Sequence, residues 1–476
     1  MSSKSNPSLI PALRMGLGYT VMLGAGVGAI FLIAAAGTGL SAPASAPGGG
    51  PLSKAAQASS AHTLLHVLLA LAVVVVAARA LGLVARYFRQ PAVIGEVIAG
   101  IALGPSLLGR IAPEVSSFVL PASAAPHVGM IAQVGVILYM FLVGLELDTR
   151  AFRGRTHTSI AVSHASILLP FTLGSALALA LYPRFSSSDI SFFAFALFIG
   201  VSMSVTAFPV LTRILGDLQL KQTKLGTIAV ACAAVDDVTA WCLLAFVVAM
   251  VRAEPQQALL TVVAAGAYLA FMLLAVRPLL QRFARRTEGQ GLNQNSFAVI
   301  CVALLCSALL TEAIGIHALF GAFLLGTLIP HDSRLGSELR EKLSDLVIVM
   351  FLPAFFAFTG LRTQISLLQG TSDWLWCAAV VGVASLGKFG GSAAAARLTG
   401  LGWRESMALG ALMNTRGLME LIVLNMALDL GILSPKLFAI FVIMALVTTV
   451  ATTPLLFGFL RGPSPGRLPQ GELASG

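Results

Sequence analysis

Fourteen apolar stretches, bounded by charges or by Pro/Gly clusters, take up most of this chain, near 15–38, 61–85, 91–109, 127–148, 157–182, 190–214, 224–252, 258–279, 295–314, 316–330, 343–361, 372–396, 403–428 and 435–460. Crossing the hydrocarbon of a bilayer takes about 20 apolar residues in a helix. Within lipid every backbone N–H and C=O must be satisfied inside the structure, which favours helices for runs of this length. Charged side chains make up only 11% of the 476 residues and hydrophobic ones 57%, whereas about a quarter of a soluble chain is charged. The expected fold class is therefore an all-α polytopic membrane protein with the lipid bilayer as its main partner. A soluble enzyme of this length is excluded.

The formal charge of +10 does not point to nucleic acid, because the basic residues come in small groups between apolar runs and never form a stripe. They set topology instead. Alternating the spans from a cytoplasmic N-terminus places 22 of the 30 Lys and Arg on the cytoplasmic side. The opposite side receives six, Lys54, Arg110, Arg184, Arg252, Arg362 and Lys436, the asymmetry expected of a multi-pass protein. The reading implies the plasma (inner) membrane with a cytoplasmic C-terminus. Lys388 and Arg416 fall within spans. All five cysteines lie in apolar runs without metal-ligand spacing, so packing is their expected role. Residues 1–60 read as a helix, either an extra span or a signal segment, followed by a Pro/Gly/Ser linker; 61–460 is the membrane domain; 461–476 is a short tail.

With the first helix set aside, and 258–279 taken as a linking helix, two groups of six spans remain, about 61–252 and 295–460, beginning on opposite sides of the membrane. That parity is expected of two inverted repeats. The fifth member of each group is interrupted: Pro209 stands in mid-run in 190–214, and Asn414, Thr415, Arg416 and Glu420 stand in mid-run in 403–428. Breaks at corresponding positions point to a transporter's binding site, since unwound backbone exposes carbonyls and helix ends near the midplane.

The sharpest anomaly is Asp236 next to Asp237, with about ten apolar or small residues on either side. One ionised carboxylate at that depth costs at least about 2.5 kcal/mol. Such an acid can trade a proton for a cation. Neighbouring residues on a helix point about 100° apart, so one acid is expected to face an ion path and the other a partner. Lys388, too deep to snorkel easily, is the candidate partner, either as a fixed ion pair with Asp236 or as a pair that also takes part in proton coupling. Arg416 and Glu420, four residues apart, are read as neutralising each other or as compensating the dipoles of the broken crossing. Glu96 and Glu146 read as interfacial or packing carboxylates and Glu312 as solvated.

Adjacent acids diverge, which disfavours an intramembrane aspartyl protease, whose carboxylates must converge on one water. No phosphate-binding loop or dinucleotide fingerprint is present, so an ion gradient is the expected driving force. Neither a cofactor nor an enzyme activity is expected.

Five motifs in order, RQPAVIGEVIAGIALGPSLLG (89–109), FLVGLELD (141–148), SVTAFPVLTRIL (204–215), AAVDDVTAW (233–241) and MNTRGLMELIVLN (413–425), resemble the monovalent cation/proton antiporter-2 superfamily, and within it the bacterial relatives of plant cation/H+ exchangers. The resemblance spans roughly 61–460. It implies a thirteen-helix sodium/proton exchanger fold with two broken crossing helices, a moving six-helix core and a homodimer. It also implies that Asp237 binds a cation (Na+ or K+) or a proton in competition, that Asp236 pairs with Lys388, and that Thr206, Asn414 and Thr415 lie at the crossing as possible oxygen donors. An Asp-Asp pair is associated with electrogenic exchange. Position 233 is Ala, so a hydroxyl one turn before Asp237 is missing. The function expected is monovalent cation/proton antiport by elevator-type alternating access. The rival readings are a passive cation channel, a pH-sensing membrane subunit and a sodium-coupled symporter.

Overall fold

The computed structural model describes residues 60–88, 90–121, 123–146, 157–220, 223–252, 255–288 and 291–460, with a few isolated positions between 24 and 36. The expected helix at 15–38, apart from those positions, the linker and the tail lie outside the described residues. In chain order the long helices are α1 (Ser60–Tyr87), α2 (Ala92–Leu103), α3 (Ala125–Glu146), α4 (His157–Phe185), the broken pair α5 (Phe192–Ser204) and α6 (Phe208–Asp217), and α7 (Lys224–Arg252). The linking helix follows as α8 (Pro255–Phe271), a π-helical turn at Met272–Val276, and α9 (Arg277–Thr287). The second half contains α10 (Gln294–Ile314), α11 (Ala318–Leu328), α12 (Arg334–Leu346) running through a π turn at Val347–Phe351 into α13 (Leu352–Arg362), and α14 (Thr371–Ser385) running through a π turn at Leu386–Gly390 into α15 (Gly391–Leu398). It ends with the second broken pair, α16 (Trp403–Met413) and α17 (Leu418–Asp429), bent by 42°, and α18 (Pro435–Leu460).

Among the described residues ten helices are long and apolar enough to cross a bilayer, or eleven counting the bent pair as one span. Two expectations differ in detail. The run at 316–330 yields only the 11 residues of α11, about 16 Å at 1.5 Å per residue, because Gly315 ends α10 in a left-handed cap (φ 94°) and Ile329 is already extended. The run at 343–361 starts earlier, at Arg334, where the Ser333 hydroxyl accepts the Gly336 N–H and caps an amphipathic first segment.

The helices pack as two groups. One is a frame in which α1 lies on α2, α13 on α2 and α3, and α11 on α3 and α10. Gly100 and Gly360 bring the backbones of α2 and α13 into contact, and Gly144 and Gly326 do the same for α3 and α11, so that a Cβ at any of the four would overlap the facing main chain. The other group is a core of α4 to α7 and α14 to α18, where α4 packs on α5, α7, α14 and α15, and α16 on α7, α15 and α18. Between them the backbones seldom approach, mainly where α18 passes α2 and the turn at Ile365–Leu367, while side chains of both groups share one hydrophobic core, as where Trp241 of α7 stacks on Phe323 of α11. Cavities of about 480 Å³ and 160 Å³ lie along this seam at opposite ends of α3. Cys232 and Cys377 are buried as expected, but Cys242 and Cys306 lie exposed on outer helix faces and pack no core.

Candidate functional site

The two breaks meet in the core. α5 ends at Ser204, residues 205–207 leave the helix, and α6 restarts with Pro209 in its first turn, where the missing N–H costs nothing. α16 ends at Met413, and residues 414–417 connect it to α17. The Ala207 N–H donates to the Thr415 carbonyl at 3.0 Å, tying one break to the other. A Cβ on Gly417 would come within 2.8 Å of the Val210 side chain on α6, so the close approach of the two crossings depends on that glycine.

The C-terminal end of α5 points three carbonyls at the crossing, and two buried cations take all three. Arg416 Nη1 donates to Ser202 O at 2.9 Å, Arg416 Nη2 to Met203 O at 2.8 Å, and Lys388 Nζ to Ser204 O. Cations suit the negative end of a helix dipole. Lys388 also donates to Ser166 O at 3.0 Å and sits 3.5 Å from Asp236 Oδ2. Arg416 Nη1 reaches Glu420 Oε2 at 2.6 Å, one turn into α17. The Thr449 hydroxyl on α18 accepts the Arg416 N–H at 3.0 Å and donates to the Arg416 carbonyl at 2.7 Å, bracing the second break. Lys388, Arg416, Glu420, Asp236 and Asp237 are all inaccessible to solvent.

The adjacent acids have unlike surroundings. Asp236 Oδ1 accepts the Ser163 hydroxyl at 2.8 Å, and Oδ2 accepts Ser166 at 2.5 Å and Thr206 at 2.8 Å. Both oxygens of Asp237 lack a hydrogen-bond partner; the Phe208 N–H at the start of α6 interacts with the carboxylate from outside hydrogen-bond geometry. Asn414 Oδ1, at the second break, is also buried and unpartnered. Thr415 Oγ1 reaches only Thr452 Oγ1, at 3.4 Å. On the frame side Tyr139 of α3 lies within electrostatic reach of Asp237 and lines the 160 Å³ cavity with Glu146, Thr212 and Ser344. An oxygen-bearing acid without partners, next to a saturated one, has the donor chemistry for a hard monovalent cation or a proton.

A protein-family model described as "Sodium/hydrogen exchanger, transmembrane" matches residues 69–460. The chain belongs to that family. Among similar sequences, a Na+/H+ antiporter of Synechocystis sp. is 44% identical over 85% of this chain and 99% of its own length. Cation/H+ antiporter 17 of Arabidopsis thaliana is 39% identical over 83% of this chain and 48% of its own length. K+/H+ antiporter 1 of Saccharomyces cerevisiae is 36% identical over 77% of this chain and 43% of its own. The chain thus spans about half the length of these plant and yeast relatives. A solved sodium/proton antiporter of Methanocaldococcus jannaschii superposes with a TM-score of 0.62 at 13% identity, covering 84% of this chain and 99% of that one. The exchanger family and its antiporter fold, expected from the five motifs, are thereby shown.

Within this exchanger fold Thr206 and Lys388 meet Asp236, Arg416 joins Glu420 to the end of α5, Thr415 ties the second break to the first through Ala207, and Asp237 and Asn414 are buried with unpartnered oxygens. Sequence reasoning missed Ser163 and Ser166. Their signal was two hydroxyls three residues apart on one face of the run at 157–182. It also missed the π turn that carries Lys388 and, on α18, Thr449 and Thr452, which hold Arg416 and Thr415 of the second break. Glu96 is buried and Glu146 exposed. Glu312 is partly exposed, as expected, but also accepts the Ala318 N–H at 2.9 Å and lies 3.8 Å from His317 Nδ1.

Proposed function

We propose that this chain is a monovalent cation/proton antiporter that exchanges Na+ or K+ for protons across the plasma membrane, with Asp237 as the residue the two ions contest. The observation that carries the reading is that both Asp237 oxygens are fully buried and accept no hydrogen bond from the protein, beside an Asp236 whose oxygens accept three hydroxyls. A carboxylate so placed cannot stay bare in lipid, and a proton or a cation neutralises it equally well. Asn414 is the proposed neighbouring oxygen donor; backbone or water completes the shell where Ala233 offers no hydroxyl.

The core carrying both breaks is proposed to move as a unit against the frame, presenting Asp237 to one side and then the other. Sparse backbone approach along the seam, against glycine-mediated backbone contacts within the frame, supports that division. The exchange is further proposed to be electrogenic: the buried Lys388 ammonium is a second proton source, and releasing it as the cation arrives would carry two protons against one cation. One net charge then responds to voltage by about 2.3 kcal/mol per 100 mV. A homodimer, with the C-terminus on the cytoplasmic side, completes the proposal.

Proteoliposomes loaded with a pH dye test it. An imposed proton gradient should drive Na+ or K+ uphill, and Asp237→Asn should abolish this in folded protein; a variant that exchanges normally refutes the assignment. Because Asp237 holds either a proton or a cation, the apparent cation Km should rise by about tenfold per unit fall in pH where that proton alone is displaced, and by up to about a hundredfold where the Lys388 proton must leave as well. A Km independent of pH would leave the competition without support.

A further inference from the structure

On the side of the membrane that bears Arg362, the seam between frame and core is crossed by four polar side chains. Thr359 and Arg362 belong to the last turn of α13 in the frame, and Asn425 and Asp429 to the last two turns of α17 in the core. Arg362 Nη1 donates to Asn425 Oδ1 at 3.1 Å, Arg362 Nη2 pairs with Asp429, and Asn425 Nδ2 donates to Thr359 Oγ1 at 2.8 Å. The Asn425 amide is therefore engaged at both ends by the frame. The guanidinium also rests over the Phe358 ring, 5.1 Å from its centroid, which fixes its plane.

Three observations give this cluster more than a packing role. The backbones of the groups it joins seldom approach each other elsewhere. α17 runs from the second break to the cluster over 12 residues, about 18 Å of rigid helix, so a shift at the crossing is delivered to Asn425 and Asp429. The 480 Å³ cavity borders the cluster, with Asn425, Asp429 and Ile422 on the core wall and Gln133, Glu312 and Phe358 among its surroundings, so that stretch of seam is otherwise open. Hydrogen bonds of this kind are gone once donor and acceptor separate past about 3.6 Å; a displacement of the core by little more than 1 Å opens all three.

We propose that Thr359, Arg362, Asn425 and Asp429 form a clasp that holds the core in the arrangement seen here, in which neither acid of the pair reaches solvent, and that its release is the step that extends the cavity on the Arg362 side to them. This rests on the alternating-access reading above. Neither Arg362 nor Asp429 touches the ion; both are positioning residues, acting on which side Asp237 faces.

Ile422, a buried residue of α17 on the wall of the same cavity, reports the opening. With Ile422→Cys in a background whose five native cysteines are replaced, labelling by a membrane-impermeant maleimide from the Arg362 side is timed in vesicles. Arg362→Gln and Asp429→Asn should each speed labelling by about two- to fivefold, the range for a partly exposed ion pair, and the double variant should add little, since one contact is lost either way. Equal rates in parent and single variants, or full multiplication in the double, would overturn the clasp. The parent alone tests the underlying movement: its labelling rate should change between saturating Na+ or K+ and cation-free acidic buffer. A parent that does not respond sinks alternating access itself, whereas a responsive parent with unresponsive variants sinks only the clasp.

Discussion

Asp236 and Asp237 are consecutive on α7, equally buried, and chemically identical, yet they face regions built on opposite plans. The region around Asp236 comes from α4, the first break and the π turn of α14, and every oxygen it meets is already directed: three hydroxyls and an ammonium converge on one carboxylate. The region around Asp237 includes the start of α6, and neither Asp237 oxygen accepts a hydrogen bond from a protein side chain. A saturated buried pair is costly to disturb and a vacant buried acid is costly to leave empty. The first arrangement holds helices in place, and the second asks for an occupant. The 100° between successive helical residues is what lets one helix serve both.

The largest expected effect falls on transport. Asp237→Asn should remove detectable exchange while leaving thermal stability in detergent unchanged or higher, because the substitution deletes an unpartnered buried charge. Asp236→Asn should behave in the opposite sense, lowering stability by about 3–5 kcal/mol by stranding the Lys388 ammonium. A melting temperature read from intrinsic fluorescence distinguishes them, and equal melting of the two variants would erase the contrast between the regions. Removing Lys388 as well, in Asp236→Asn with Lys388→Met, should restore part of the lost stability, since deleting both charges costs less than deleting one. A double variant less stable than the single would mean that the pair is not the unit of stabilisation.

How much of this was visible beforehand follows from where the signals reside. Spans were legible because hydropathy is local, and every stretch from 61 to 460 has its helix. The helix boundaries at Arg334 and the shortness of α11 were not, because a serine cap and a left-handed glycine act through backbone geometry that hydropathy does not register. In the site, the intramembrane charges announced themselves by their cost. Their partners did not: Ser163, Ser166 and Thr449 are small and inexpensive to bury, and only the meeting of α4, α7 and α18 with the breaks shows what they hold. The carbonyls of Ser202, Met203 and Ser204 carry no side-chain signal at all, although they absorb both buried cations. For Arg416 and Glu420 the sequence leaves mutual neutralisation beside compensation of the dipoles at the broken crossing; the structure holds both, since Arg416 pairs with Glu420 and donates to two carbonyls at the end of α5.

The finest test of the contrast uses two residues at the breaks, Thr206 and Asn414, which sequence alone treats alike. The Thr206 hydroxyl is committed to Asp236 at 2.8 Å, whereas Asn414 Oδ1 is buried and uncommitted. Thr206→Ala should therefore cost about 1 kcal/mol of stability, the usual worth of one hydrogen bond, with the cation Km changed less than twofold in proportion to its remote position. Asn414→Ala removes an oxygen that nothing in the protein uses, so stability should move by less than about 0.5 kcal/mol, while the cation Km rises by about three- to tenfold if that oxygen is worth a ligand's share of binding. Melting curves and Km values from the same vesicle preparations decide it. Should Asn414→Ala destabilise the fold and leave Km untouched, with Thr206→Ala doing the reverse, the saturated and vacant regions would have to exchange roles, and the ion would belong with Asp236.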